Sequence, residues 1–530
     1  MGKERTNQIV RGAFILTIAG LLSKVLSATY RIPLQNLTGD FGFYIYQQVY
    51  PLLGTVMILA LYGFPAAISK ITAEHRLENK TLTVTSFYVP LFLILLFING
   101  VFFVLLYSLA PLIVTWMGDE QLLRSFRFAA FLFLVIPFIA LLRGVTQGKG
   151  MMQQTAYSQI LEQLIRVTMI ITASYLIFIE KLNIYQIGEA GVLATLVGMV
   201  VALFVFIWPI PKQKMRPVRK LSPVPWKYYF TTCVLIGVFA TFNHLILLLM
   251  QMVDTLTIVP GLVKSGLSSV EAMETKGVFD RGQPLIQFGV VFGSSFALAL
   301  IPNVVRKQAN APDAQATVIR DAFLFGFYIT VGATLGLFSL MPETNILLFT
   351  NSEGTSSLQL LSLTLVLTAL SITGAAVLQS VGNIKYIAYS VLGATGLKYI
   401  FNMILVPMLD IRGSAIATVC SMLFLTLLIF IFVDKKVPDI RFVQHIRWKP
   451  LLIASGSMVI YIYGVRYIFL SFVEPTRGML LVYVLFMIRT GAAIYLVLLL
   501  RYHVLSNKQI QALPFSGVVL RIKDMVQKRS

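Results

Sequence analysis

Five basic residues sit where a chain crossing a bilayer accommodates charge least readily. Lys24, Arg31, Arg166, Arg281 and Lys398 all fall inside, or at the edges of, long apolar runs. A fixed cation at mid-bilayer costs about 2.5–3.5 kcal/mol on the insertion scale, so it faces a watery cavity or an anionic partner. Lys24 is the clearest case. At about 1.5 Å per helical residue it lies roughly 20 Å beyond Arg11, inside a hydrocarbon core of about 30 Å. The chemistry open to such residues is attraction of an anion, phosphate above all. Arg31 is nearer the outer end of the run 8–33, where snorkelling to the interface competes with ligand contact. Arg166 lies at mid-depth with Glu162 one turn before it, a spacing that predicts an intrahelical ion pair. Lys398 has no acidic neighbour one turn away. Arg281 follows Asp280; adjacent helical residues do not face each other, which leaves Arg281 either to meet a ligand or to anchor at the interface. Acidic residues within the runs are fewer, namely Glu162, Asp254 and Asp280, and the balance favours an anionic cargo over a cationic one.

The elements that must position these residues are membrane spans. The chain has 530 residues, 57% of them hydrophobic and only 12% charged, whereas soluble proteins carry about a quarter charged residues. Its formal net charge of +21 is dispersed between apolar runs rather than gathered on one face, so positive-inside topology explains it without nucleic acid. Cys233 and Cys420 lie in apolar runs, which argues against a disulfide framework. The four His residues are scattered, so no metal or cofactor is expected and the chain reads as a non-enzyme. Asn243 and the glycines of Gln147-Gly148-Lys149-Gly150 read as a helix-packing residue and as turn formers. The first apolar run is too long for a signal-peptide core and is expected to remain as a span.

Hydropathy gives fourteen candidate spans: 8–33, 42–69, 84–109, 122–147, 155–178, 188–209, 227–254, 277–303, 318–341, 357–379, 384–408, 412–433, 449–471 and 478–501. The connections alternate in charge. One set is basic, including Lys70, Arg76 and Lys80, then Arg143 and Lys149, then Arg306 and Lys307. The other holds Asp119 and Glu120, the group Glu271, Glu274 and Lys276, and Glu343. Both termini are therefore expected in the cytoplasm, which agrees with an even span count. The chain also repeats. Gln147-Gly148-Lys149-Gly150 with Ala156-Tyr157-Ser158 matches Gln379-Ser380-Val381-Gly382 with Ala388-Tyr389-Ser390 at an offset of 232, which sets Arg166 opposite Lys398. Weaker echoes relate Gly42 to Gly277 and Pro65 to Pro302. An even number of spans separates the copies, so they run parallel. The expected organisation is an all-α integral membrane protein with an N-lobe over 1–210, a basic linker over 211–226, a C-lobe over 227–433, a helix pair over 434–501 and a basic tail over 502–530.

Several strings resemble a known family. Ser23-Lys24-Val25-Leu26, Gly63-Phe64-Pro65-Ala66-Ala67-Ile68-Ser69-Lys70, Arg143-Gly144-Val145-Thr146-Gln147-Gly148 and Asp280-Arg281 are similar to motifs of the polysaccharide flippases in the multidrug/oligosaccharidyl-lipid/polysaccharide exporter (MOP) superfamily. The nearest branch is that of stage V sporulation protein B, related to the MurJ-type lipid II flippases. The resemblance implies two lobes in a V around a cationic cavity, a last helix pair that receives a polyprenyl tail, and alternating access. It implies a lipid-linked sugar pyrophosphate as substrate, membrane lipids as surroundings, cell-wall synthesis proteins as partners and a monomeric state. Lys24 and Arg281 would meet the headgroup, with Arg31, Arg166 and Lys398 as further cavity cations. Lys24 stands where MurJ-type proteins have arginine, keeping the charge and losing the bidentate fork. Gly54-Thr55 stand where those proteins have an arginine pair, and Lys398 and Asn402 where some relatives bind sodium. A cation-coupled drug exporter of the same superfamily and a non-transporting scaffold for wall synthesis are the other readings.

Overall fold

Every long regular element among the described residues is helical. The computed structural model describes residues 2–78, 80, 82–207, 224–290, 312–437, 440–472, 475–504 and 517. They group into two compact units, Met1–Asp280 and Arg281–Ser530.

The first unit opens with α1 (Gly2–Thr29) and α2 (Arg31–Ile58). The connection expected over 34–41 is itself helical: α2 begins at Arg31, and only Gly39, at φ 68°, interrupts it. That φ belongs to the left-handed region that glycine enters without a Cβ penalty. A π-helical turn, Leu59–Gly63, leads into α3 (Phe64–Leu77), which has Pro65 in its first turn; there its missing N–H costs nothing. Then come α4 (Val89–Met117), α5 (Leu123–Ala130), α6 (Leu132–Gly148), α7 (Met152–Phe178) and α8 (Gln186–Ile207). Next is α9 (Trp226–Thr232), continued by a π turn, Cys233–Val238, and a 3₁₀ turn, Phe239–Thr241, into α10 (Phe242–Lys264). The unit ends with α11 (Ser269–Asp280). Its start is a capping box: the Ser268 amide donates to the Glu271 carboxylate at 3.0 Å and the Glu271 amide to Ser268 Oγ at 3.4 Å, which satisfies end amides that lack helical partners.

The second unit holds α12, described over 282–290, then α13 (Pro312–Phe349), α14 (Thr355–Ser362), α15 (Thr364–Ser380) and α16 (Ile384–Lys436). Its last pair is α17 (Trp448–Phe472) and α18 (Arg477–Arg501). Arg466 of α17 reaches Glu343 of α13 with a two-toothed contact, Nε to Oε1 at 2.5 Å and NH2 to Oε2 at 2.7 Å. Glu343, expected in a connection, is thus buried within a helix.

Among the described residues, eleven helical stretches are long and apolar enough to cross a membrane. Two of them, Ile18–Leu77 and Ile384–Lys436, have 60 and 53 residues, two to three times what a core of about 30 Å requires. Gly39 breaks the first, and Leu409 with Asp410 breaks the second, so each contains two of the expected spans. The eighth expected span, 277–303, runs into residues 291–311, which lie outside the described residues, as do Pro302, Arg306 and Lys307. Most of the linker 211–226 and of the tail 502–530 also falls outside them.

The internal repeat is visible in the backbone. Gly150 and Gly382 both take φ 81°. The amides of Lys149, Gly150 and Met151 bond the carbonyls of Val145, Gln147 and Thr146, and those of Val381, Gly382 and Asn383 bond Val377, Gln379 and Leu378. Gly118 and Thr350 share a positive φ, 77° and 74°. The next residues, Asp119 and Asn351, each accept the amide two residues on at 3.1 Å. One offset, 232, relates every pair.

Candidate functional site

Lys24 lies near the end of α1, crowded by protein and yet with an exposed side chain, while its neighbour Ser23 is buried. A group that is both deep and accessible lines an internal space. Its ammonium makes no hydrogen bond or ion pair with any described residue, and it acts electrostatically on His244 of α10. Both residues belong to the first unit.

Of the two outcomes open to Arg31, snorkelling and ligand contact, the first is not adopted. It is 0% exposed, and its guanidinium lies 3.7 Å over the Tyr50 ring. None of its three nitrogens makes a hydrogen bond of ordinary geometry among the described residues; Tyr30 and Tyr46 flank it, and their hydroxyls bond each other. Because α2 starts at Arg31 itself, the side chain is folded into the bundle instead of trailing toward the headgroups. A desolvated guanidinium resting on aromatic faces keeps its charge and its appetite for an acceptor.

Arg166 also departs from expectation. Glu162 pairs not with Arg166 but with Arg143, whose NH2 reaches Glu162 Oε2 at 2.6 Å with both side chains buried. Arg143 Nε donates to Ser158 Oγ at 3.1 Å and its NH1 to the Ala60 carbonyl at 3.4 Å. The sequence places Arg143 at the end of a span; in the fold α6 runs on to Gly148, which takes the guanidinium inside, and a fully buried arginine gains most from the one nearby carboxylate. Arg166 instead donates to Ser27 Oγ of α1 at 3.1 Å and to Gln163 Oε1.

Arg281 is neither interfacial nor open. It is 0% exposed, and its NH1 donates to Asn351 Oδ1 at 2.6 Å, with a longer contact of 3.5 Å to Asn345 Oδ1. Lys398 is likewise 0% exposed, one turn before the buried Asn402. The five predicted cations divide between the two units. Lys24, Arg31 and Arg166 lie in the first unit, Arg281 and Lys398 in the second.

Other residues escaped the sequence reading. Lys276, taken as a loop charge, is 1% exposed and bonds Asp280 at 2.5 Å; the i,i+4 spacing within α11 was the available signal. Asp119, also read as a loop residue, is buried and accepts from Tyr44 at 3.3 Å and Tyr185 at 3.2 Å. Burial pushes its carboxyl above the ordinary value, and the hydrogen bonds from Tyr185, the Gln121 amide and Tyr44 oppose that. His244 was passed over as one of four scattered histidines, although an ionisable residue inside a span was the signal. A cleft lined by Tyr107, Arg124, Arg127 and Glu189 offers less to an anion, because Arg124 already meets Glu189 at 3.2 Å.

The fold is that of the MOP-superfamily transporters. An inward-facing multidrug resistance transporter of the MATE family superposes with a TM-score of 0.63 at 17% identity, covering 79% of this chain and 95% of its own. The lipid II flippase MurJ in an inward closed conformation gives 0.56 at 17% identity, covering 92% of this chain and 97% of its own. At that identity the likeness speaks for the fold alone. The polysaccharide biosynthesis protein family matches residues 9–308. The membrane protein YabM of Bacillus subtilis is 33% identical over 518 residues, which is 96% of this chain and 95% of that protein. The lipid II flippase MurJ of the same organism is 23% identical over 524 residues, 93% of this chain and 95% of that protein. The chain belongs to the polysaccharide biosynthesis protein family.

Proposed function

We propose that this protein moves an undecaprenyl-pyrophosphate-linked cell-wall or polysaccharide precursor from the cytoplasmic to the outer leaflet by alternating access. The observation that carries the reading is Lys24: an accessible ammonium inside a bundle of membrane helices, with no acidic partner among the described residues. A charge so placed is stabilised by a mobile anion that arrives and leaves. Arg31, whose three nitrogens make no hydrogen bond of ordinary geometry among the described residues, is the second member. Arg166, held by the neutral side chains of Ser27 and Gln163, adds to the field without direct contact. Lys398, which the repeat sets opposite Arg166, and Arg281 are the cations of the other half. The lobes, 1–210 and 227–433, would rock about the basic linker, with both termini in the cytoplasm, and the pair α17 and α18 would shelter the prenyl tail. The kinship with a lipid II flippase supports the lipid-linked class of cargo, and no catalytic step is invoked.

The test is translocation of labelled undecaprenyl-pyrophosphoryl sugar in proteoliposomes. Lys24→Ala is expected to cut the rate at least tenfold, and Lys24→Arg to retain most of it. Wild-type rates in Lys24→Ala, or transport of cationic drugs in place of the lipid, would refute the reading.

A further inference from the structure

Lys24 has neighbours that the reading above leaves unused. The rings of Tyr62 and His244 stack, with centroids 4.5 Å apart and planes 16° from parallel. Tyr62 belongs to the π turn Leu59–Gly63, and His244 follows the π turn Cys233–Val238 and the 3₁₀ turn Phe239–Thr241. Both helices thus leave regular α geometry at the level where the rings meet, and such bulges re-aim side chains and concentrate at functional sites. The two irregular segments touch through glycine: a Cβ on Gly63 would run into the Gly237 carbonyl, and one on Gly237 would come within 2.6 Å of the Phe64 ring.

The other walls are close by. Gly20 lies one turn before Lys24 on α1, and a Cβ there would be 3.6 Å from the Tyr62 hydroxyl and 3.9 Å from Gln159 Nε2. Lys24, Tyr62, Gln159 and His244 therefore converge from α1, the π turn, α7 and α10, all within the first unit, and protein crowds the space around Lys24 and His244. His244 is exposed to that space, and neither of its ring nitrogens hydrogen-bonds a described residue. Tyr62 is half-buried.

We propose that the Tyr62–His244 stack is a carbohydrate subsite, which receives the sugar attached to the anionic group that Lys24 meets. A sugar ring offers an apolar C–H face to an aromatic surface and hydroxyls to groups at its rim. The imidazole nitrogens, without a hydrogen bond among the described residues, supply one donor and one acceptor, and the Tyr62 hydroxyl and Gln159 amide, which meet each other, keep further capacity at the rim. An ammonium beside such a surface suits a ligand that is anion at one end and sugar at the other. The inference rests on the proposed cargo class.

Two probes separate it from that reading: undecaprenyl pyrophosphate, and the same lipid carrying one N-acetylhexosamine, each titrated into the purified full-length protein in nanodiscs. Tyr62→Leu and His244→Leu should weaken the glycosylated lipid at least tenfold and leave the bare pyrophosphate within about twofold. Tyr62→Phe, which preserves the stack and removes one hydroxyl, should weaken the glycosylated lipid less than Tyr62→Leu does, and Lys24→Ala should weaken both lipids. Circular dichroism and elution volume check folding. Equal losses for both probes, or no loss for either, in the Tyr62 and His244 variants overturn the subsite. If those variants discriminate while Lys24→Ala leaves both affinities unchanged, the subsite stands and the anion role of Lys24 falls. Absence of binding to either lipid by the unchanged protein overturns both.

Discussion

Removal of the Glu162 carboxylate would isolate Arg143. The guanidinium is 1% exposed and, beyond Glu162 at 2.6 Å, has Ser158 Oγ at 3.1 Å and a long contact to the Ala60 carbonyl. Breaking a buried pair from one side costs about 3–5 kcal/mol, because a charge is left without compensation. The remaining hydroxyl and carbonyl place Glu162→Ala near the lower end, about 3 kcal/mol. Glu162→Gln keeps an acceptor and should cost about half of that. Replacing both partners with apolar residues, Arg143→Met with Glu162→Leu, should cost less than Glu162→Ala alone, since no orphaned charge remains. The assay is reversible denaturation in mixed micelles, arranged as two double-mutant cycles. The cycle of Glu162 with Arg143 should give a coupling energy of about 2 kcal/mol, and that of Glu162 with Arg166 less than about 0.5 kcal/mol. A reversal of that order would restore the i,i+4 pair and refute the cross-helix assignment.

Two further outcomes follow from the same packing. Gly277→Ala drives a methyl into the Asp40 carbonyl where α11 crosses α2; backbone cannot yield as a side chain does, so stability should fall by about 1–3 kcal/mol, whereas Gly336→Ala, with open space around it, should be neutral in the same denaturation assay. Asp119 has its carboxyl raised by burial, so the folded protein holds that proton more tightly than the unfolded chain. The stability this gives is complete below the ordinary carboxylate range and is lost as pH rises through and above it. Asp119→Asn, which copies Asn351 at the repeat position, should remove that part of the slope in unfolding midpoints measured from pH 4 to 7; an unchanged slope would refute the assignment.

Hydropathy and charge parity made the helices legible, because each span must satisfy its own backbone in lipid and each connection must stay polar. The offset of 232 was legible too, down to Gly150 and Gly382, because glycine enters the left-handed region without a Cβ penalty and stands at both positions; Gly118 and Thr350 share their φ with different residues and left no such mark. Lys24 was singled out from its depth alone. What the sequence hid were partners on different helices. Arg143 and Lys276 looked like loop charges because helix ends are the least certain feature of a one-dimensional reading, and both helices extend past them. Arg31 looked peripheral for the converse reason: α2 starts there, where a connection was expected a few residues later. The Tyr62–His244 stack depends on two π turns, and an extra residue in a helical turn leaves no mark on an apolar run.

The break at Leu409–Asp410 has a practical consequence. Asp410 takes φ 52°, and the chain reverses so closely that a Cβ on Gly413 would meet the Leu405 carbonyl. The two crossings on either side are joined with almost no loop. A protease would find no extended strand to grip there, and an epitope tag or reporter inserted at this point would prise apart the spans whose sidedness it was meant to report. Experiments that map which ends of the helices face the cell exterior should place their labels in the longer connection at Glu180, Lys181 and Asn183, which are exposed, and spare Tyr185, which holds Asp119.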